Sequence, residues 1–266
     1  MTLQLLALYL GVGVFVGFLA GLLGMGGGAV LIPALIFTLE AQHVPDVHVM
    51  HQALGTSLAC ILFGSISSLR EHHAHGAVKW DIVVRLTPGI LLGGFLGSVL
   101  VAHLPTHALK IIFMIFLLYV STNLLLNIRP KARRPLPGPF GMHLTGFIIG
   151  GLGGLVGIGG AAISVPFLTW CNVTMHNAIG TSAALGFPIA LIGSIGYAIN
   201  GYGVPNLPPH SFGYIYLPAL IGISAMSILI APLGAKTAHR LPVKTLRRVF
   251  ALFLYAVTAK MAMSLL

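Results

Sequence analysis

Only 7% of the 266 residues are charged and 57% are apolar. An ordinary soluble domain is roughly 25% charged, so a water-facing globule is excluded and lipid is the expected solvent. The formal charge of +10 does not indicate nucleic acid, because the basic residues sit in short segments beside apolar blocks, the pattern that orients helices in a membrane.

The first apolar block covers 3–39. As one helix it would run about 55 Å, too long for a ~30 Å hydrocarbon core. The cluster Gly24-Met25-Gly26-Gly27-Gly28 interrupts it and predicts a hairpin, with one arm at 3–23 and a return arm from Ala29. The short return arm suits a re-entrant form as well as a full crossing. The start, Met1-Thr2-Leu3-Gln4, lacks the positive stretch of a secretory signal, so no cleavage is expected. Helices are then expected at about 48–69, 82–102 and 108–128, followed by a basic segment at 129–140. The pattern starts again with a hairpin at 143–170, its turn at 157–160, and helices at about 176–199, 213–236 and 245–265. These blocks are rich in Leu, Ile, Ala and Gly without alternation, which favours helices over a transmembrane barrel.

The second half repeats the first. At an offset of 133, Gly21, Gly24, Gly26, Gly27 and Pro33 fall on Gly154, Gly157, Gly159, Gly160 and Pro166. His51 to Ser57 (HQALGTS) falls on His176 to Ser182 (HNAIGTS), and Leu104-Pro105 with Lys110 on Leu241-Pro242 with Arg247. Twelve of the 14 Lys and Arg lie in three segments: Arg70, Lys79 and Arg85; Arg129, Lys131, Arg133 and Arg134; Lys236, Arg240, Lys244, Arg247 and Arg248. The positive-inside rule makes these cytoplasmic and the uncharged 200–212 loop external. Equivalent loops then lie on opposite sides, so the repeats are inverted. The expected fold is all-α and polytopic. Repeats at 1–128 and 141–266 each contain a Gly-broken helical hairpin and three transmembrane helices, and both termini are outside.

Glycine clusters at membrane depth leave bare backbone that protein or a wet cavity must receive. A helix restarting there offers free N–H groups and a partial positive charge to an anion. The candidate cradles are Gly24, Gly26, Gly27 and Gly28 in the first half and Gly157, Gly159 and Gly160 in the second; the competing reading is close helix packing through small residues. Thr56, Ser57, Thr181 and Ser182 add hydroxyls a turn inside the next helices, facing either a polar cavity or their own backbone. His51 and His176, with Gln52 and Asn177 alongside, head those helices as a gate, an anion contact or a cap. His72, His73 and His75 read as a solvated loop rather than a metal site, and Lys260 as snorkelling to the outer interface. Cys60 and Cys171, in apolar blocks, read as small buried hydrophobes.

The four carboxylates, Glu40, Asp46, Glu71 and Asp81, fall in expected loops or helix ends. A proton or cation carrier ordinarily needs an acid within the membrane. No Gly-x-Ser-x-Gly or His-Glu-x-x-His run is present, so no enzyme, metal or cofactor is expected. The partners are a small anion and the bilayer. A membrane-embedded enzyme or assembly subunit stays as the alternative class.

The Gly-Met-Gly-Gly-Gly turn with Pro33, the Gly-Thr-Ser helix, the His72-to-Trp80 loop (HHAHGAVKW), their second-half copies and the stretch from Gly234 to Arg248 resemble the sulfite exporter TauE/SafE family, from about Leu6 to Met263. That resemblance implies a permease of the bacterial inner membrane that exports sulfite or organosulfonates such as sulfoacetate. Another small anion, or uptake, is the alternative. Ala161 stands where the first half has Gly28, leaving the second cradle one glycine short.

Overall fold

The computed structural model describes residues 3–23, 27–126, 134–238 and 243–263. Among them the first half forms α1 (Leu3–Leu23), α2 (Gly28–Ala41), α3 (Asp46–Ala74), α4 (Trp80–Ala102) and α5 (Thr106–Leu126). The second forms α6 (Pro139–Val156), α7 (Ala161–Trp170), α8 (Met175–Asn200), α9 (Leu217–Ala238) and α10 (Val243–Met263). A small antiparallel hairpin, β1 (Ser211–Phe212) with β2 (Ile215–Tyr216), precedes α9. Among the described residues, helices joined by short turns and loops make up the fold apart from that hairpin. Five helices, α3, α4, α5, α6 and α8, are long and apolar enough to cross a membrane, and α3 and α8 are the most enclosed of them.

Local chemistry explains most boundaries. Gly138 and Pro139 open α6, since proline suits the first helical position. Thr174 caps α8, its Oγ1 accepting from the Asn177 N–H at 3.4 Å. Asp46 and Asp81 occupy the first turns of α3 and α4, where a carboxylate complements the helix dipole. Gly157 ends α6 in the left-handed region at φ 72°, and Gly160 at φ 74° opens α7, as Gly27 at φ 60° opens α2.

The return arm of the second half is short. α7 has 10 residues, about 15 Å, half of a ~30 Å core. Its far end returns to where α6 begins. The Arg134 guanidinium lies 5.5 Å over the Trp170 ring, and the Asn172 side chain donates to the Arg134 carbonyl at 3.3 Å.

The principal helix contacts cross between the halves. α1 packs along α9, α4 along α6, α3 along α8 and α5 along α10, while α4 also meets α8 and α9 meets α3. Exchanging α1–α5 with α6–α10 leaves this pattern unchanged. Glycine makes the closest of these contacts. Gly93 abuts the Phe147 carbonyl, Gly150 abuts the Ile90 carbonyl, and a Cβ on Gly13 would lie 2.8 Å from the Ile223 carbonyl. At these crossings the helix-packing reading of glycine holds. Leu35, Leu54, Leu58, Ile90, Ile189 and Tyr197 are enclosed in the core, whereas Leu92, Ile115, Ile221 and Leu229 face outward.

One expectation needs correction. α3 runs on through Arg70, Glu71, His72 and His73, so most of the expected loop is helix; at 29 residues, about 43 Å, it overshoots a bilayer core and its polar last turns leave the lipid. Lys260 is exposed, with its ammonium 4.2 Å from the Phe37 ring centroid. Lys110 lies within α5, as expected, and pairs with Glu40 at 3.3 Å.

Candidate functional site

Gly24 and Gly26 lie outside the described residues. Gly27 and Gly28 are described and meet the second turn directly: the Ile158 Cα stands 3.4 Å from where a Gly28 Cβ would be, with Ile61 Cδ1 at 3.1 Å. From the other side, a Cβ on Gly157 would touch Leu54 and Ile32, and one on Gly159 would approach Ile61 Cγ2 at 3.2 Å. The two broken helices therefore adjoin in the interior, between α3 and α8.

In the second turn three carbonyls at successive third positions accept hydroxyls. Tyr197 donates to Gly154 O at 3.0 Å, Ser57 to Gly157 O at 3.0 Å, and Ser164 sits 3.0 Å from Gly160 O. Ser164 also lies 2.8 Å from Ser182 Oγ. Having one hydrogen, it donates to one of them at a time, which leaves Ser182 free to donate in turn. Ile163 and Ser164 N–H bond to the Gly160 carbonyl, so in the first turn of α7 the N–H groups ahead of that ladder are those of Ala161 and Ala162. The Gly27 carbonyl likewise accepts from Val30 and Leu31 within α2, and the N–H groups ahead of those are left over.

The walls here are apolar. The cavity beside the turns, lined by Gly27, Ala29, Val30, Ile158, Ala162 and Phe250 among others, is about 20 Å³, room for about one water. The site is closed.

The two threonines have a different employment. Thr56 Oγ1 accepts the Tyr216 N–H at 2.9 Å, and Thr181 Oγ1 accepts the Lys79 N–H at 3.0 Å. The preceding glycines make these contacts feasible. A Cβ on Gly55 would lie 2.7 Å from the Tyr214 carbonyl, and one on Gly180 2.7 Å from the Ala77 carbonyl. Each Gly-Thr pair is thus a socket for the segment leading into a helix of the opposite half. Both segments begin with a left-handed glycine, Gly76 and Gly213. Each threonine keeps its own hydroxyl hydrogen.

His51 and Gln52 lie toward one end of the central pair. His51 is buried five residues into α3 rather than heading it; its Nε2 lies 3.1 Å from Val101 O and its ring is tilted over Tyr214 at 5.0 Å. Gln52 donates to Ser211 Oγ at 2.9 Å. His176 and Asn177 stand at the N-terminus of α8, His176 exposed. None of these four is brought to the glycine turns. Below Gln52, Gln42 bridges Tyr9 OH at 2.6 Å and Tyr216 OH at 3.2 Å. His73 Nδ1 accepts from Trp80 Nε1 at 3.2 Å. Cys60 and Cys171 are free and buried.

Sequence reasoning missed Ser164, Tyr197, Ile61 and Ile158. Ser164 left a usable signal, a hydroxyl four residues past Gly160. Comparing repeats hid it, because the equivalent position is Leu31.

The family described as sulfite exporter TauE/SafE matches residues 9–261. A protein of Haemophilus influenzae described as a probable membrane transporter protein is 39% identical over 255 residues, spanning 94% of this chain and 95% of its own length. A similarly described protein of Methanocaldococcus jannaschii is 30% identical over 92% of this chain and 91% of its own. The Bacillus subtilis probable membrane transporter protein YdhB is 26% identical over 70% and 76%. No solved structure matches the chain.

Proposed function

The chain belongs to the sulfite exporter TauE/SafE family and is a membrane transporter rather than an enzyme, and from that premise we propose that it moves a small sulfur-containing oxyanion, sulfite or a sulfonate such as sulfoacetate, outward through a site between the glycine turns. The observation that carries this reading is the meeting of two broken helices, in which three carbonyls of the second are taken by protein hydroxyls and the helix that restarts there presents the N–H groups of Ala161 and Ala162. Oxyanions present several acceptor oxygens to such donors, and charge-assisted bonds of this kind are short and strong. The turns at 24–28 and 157–160 supply the amides; Ser182 and the free hydrogens of Thr56 and Thr181 supply hydroxyls, and Ser57 adds one when it leaves the Gly157 carbonyl. An inside-negative membrane drives each anionic charge outward with about 2.3 kcal/mol per 100 mV, so export proceeds without a coupling ion. A cavity of about 20 Å³ holds one water and no sulfur oxyanion; loading requires the turns to part. His51 and Gln52 at one end, and His176 and Asn177 at the other, are positioned as contacts on the way to or from the site.

In this reading the repeats are inverted, both termini lie outside, and the membrane is the bacterial inner membrane. The test is purified protein in sealed liposomes, offered sulfite, sulfoacetate, taurine, thiosulfate and chloride in turn. Sulfite or sulfoacetate is expected to move, and Ser57→Ala with Ser182→Ala to slow it at least tenfold. Movement of chloride alone, with every sulfur anion retained, would refute the assignment.

A further inference from the structure

The two sequence halves are not the two packed bodies. α4 belongs to the first half by sequence, yet it lies along α6 and against α8; α9 belongs to the second, yet it lies along α1 and against α3. The glycine crossings make these exchanged contacts backbone against backbone. Gly89, Gly93 and Gly97 of α4 abut carbonyls of α6, while Gly146, Gly150 and Gly154 of α6 abut carbonyls of α4. On the other side, Gly13 meets Ile223 and a Cβ on Gly222 would lie 2.8 Å from Tyr9 Cβ. The two sockets add to the same attachments, Thr56 holding the lead-in to α9 on α3 and Thr181 holding the lead-in to α4 on α8.

The contact between α3 and α8 is of another kind. Gly193 faces the end of the flexible Leu58 side chain, a Cβ on Gly186 would stand 3.9 Å from Ser65 Cβ, and a Cβ on Gly55 would meet the Tyr197 side chain at 3.0 Å; beside this face, Gly159 of the glycine turn meets Ile61 Cγ2. Beside it, Ser57 on α3 donates to Gly157 O of the second glycine turn. Backbone-to-backbone crossings have no soft atoms to rearrange, whereas side-chain contacts repack at small cost, and packed elements shift along such faces. The glycine turns sit on this softer face.

We propose that transport moves two exchanged bundles against each other, α1, α2 and α3 with α9, and α6, α7 and α8 with α4, by a shift across the α3–α8 face that parts the two glycine turns. This rests on the chain being a transporter and not on the identity of its cargo. Motion of the sequence halves as rigid bodies would tear both glycine crossings and both sockets; motion of the exchanged bundles keeps these, breaks the Ser57 bond, the His51 contact with Val101 O and the Tyr214 N–H bond to Tyr197 O, and repacks Leu54, Leu58 and Ile61.

Two measurements test it, both in a Cys60→Ala, Cys171→Ala background. First, spin labels are placed at outward-facing positions and distances are read in liposomes without substrate. Val14→Cys with Leu229→Cys joins opposite halves within one bundle; Val14→Cys with Leu92→Cys joins one half across two bundles. The first pair is expected to give a single narrow distance and the second a broad or split one. The reverse result, or two narrow or two broad distributions, overturns the proposal. Second, Ser65→Cys with Gly186→Cys has near-ideal disulfide spacing across the α3–α8 face. Its oxidation is expected to cut sulfite flux at least tenfold, with recovery on reduction, and undiminished flux in fully cross-linked protein overturns the proposal. If sulfite is not carried by the uncross-linked protein, the cargo assignment fails and the distances still decide the motion.

Discussion

Thr181 is fully buried and its hydroxyl oxygen takes the Lys79 amide of the opposite half. Replacing it with valine keeps the shape and removes the acceptor, leaving a buried N–H unpaired at about 1–3 kcal/mol. Thr181→Val is therefore expected to lower the thermal unfolding midpoint in detergent, and Thr181→Ser to restore most of it. Thr56→Val should behave alike, since Thr56 receives the Tyr216 amide in the same manner. Tyr197→Phe deletes the hydroxyl that reaches the Gly154 carbonyl, an expected loss of about 1 kcal/mol by the same measurement. The sequence displays both Gly-Thr pairs plainly, as duplicated letters. What it does not display is their partners, 102 and 160 residues away, so hydroxyls that looked free for a cavity turn out to be engaged as acceptors.

Among the helices, glycines differ by what stands opposite them. Gly93 abuts a carbonyl of α6, whereas Gly11 has nothing near it. Gly93→Leu is expected to force α4 from α6 and abolish the folded yield, read as a monodisperse peak in size exclusion. Gly11→Ala should leave that yield intact and raise stability by up to about 1 kcal/mol through the lower entropy of its unfolded chain. The helix breaks were legible because clustered glycine in apolar sequence admits few other readings: α1 ends at Leu23 and α2 starts at Gly28, and α7 begins at the residue after the expected turn. The end of α3 was not legible. Arg70 to His73 look like a loop by polarity, but polarity marks where a helix leaves lipid, not where its hydrogen bonding stops. The exchange of α4 and α9 was also hidden, since a glycine stripe advertises a close neighbour without saying which.

For the molecule as a whole, the proposed orientation predicts that a C-terminal reporter active only outside the cytoplasm will be active, and one active only in the cytoplasm silent. The exchanged packing makes a separate prediction. Residues 1–128 expressed alone lack the partners of α1 and α4, and 141–266 alone lack those of α6 and α9. Each fragment is expected to be degraded by itself, while co-expression of the two should recover a folded complex that co-purifies. Folding of either fragment on its own would contradict the mutual dependence described here.

The pairing of α1 with α9 also constrains biogenesis. Some 190 residues must leave the ribosome after α1 ends and before α9 begins at Leu217. Throughout that interval α1 waits in the bilayer with its glycine seam against acyl chains or an insertase. A chain stalled before α9 leaves this seam uncovered, which gives quality-control proteases a mark by which to recognise an unfinished product.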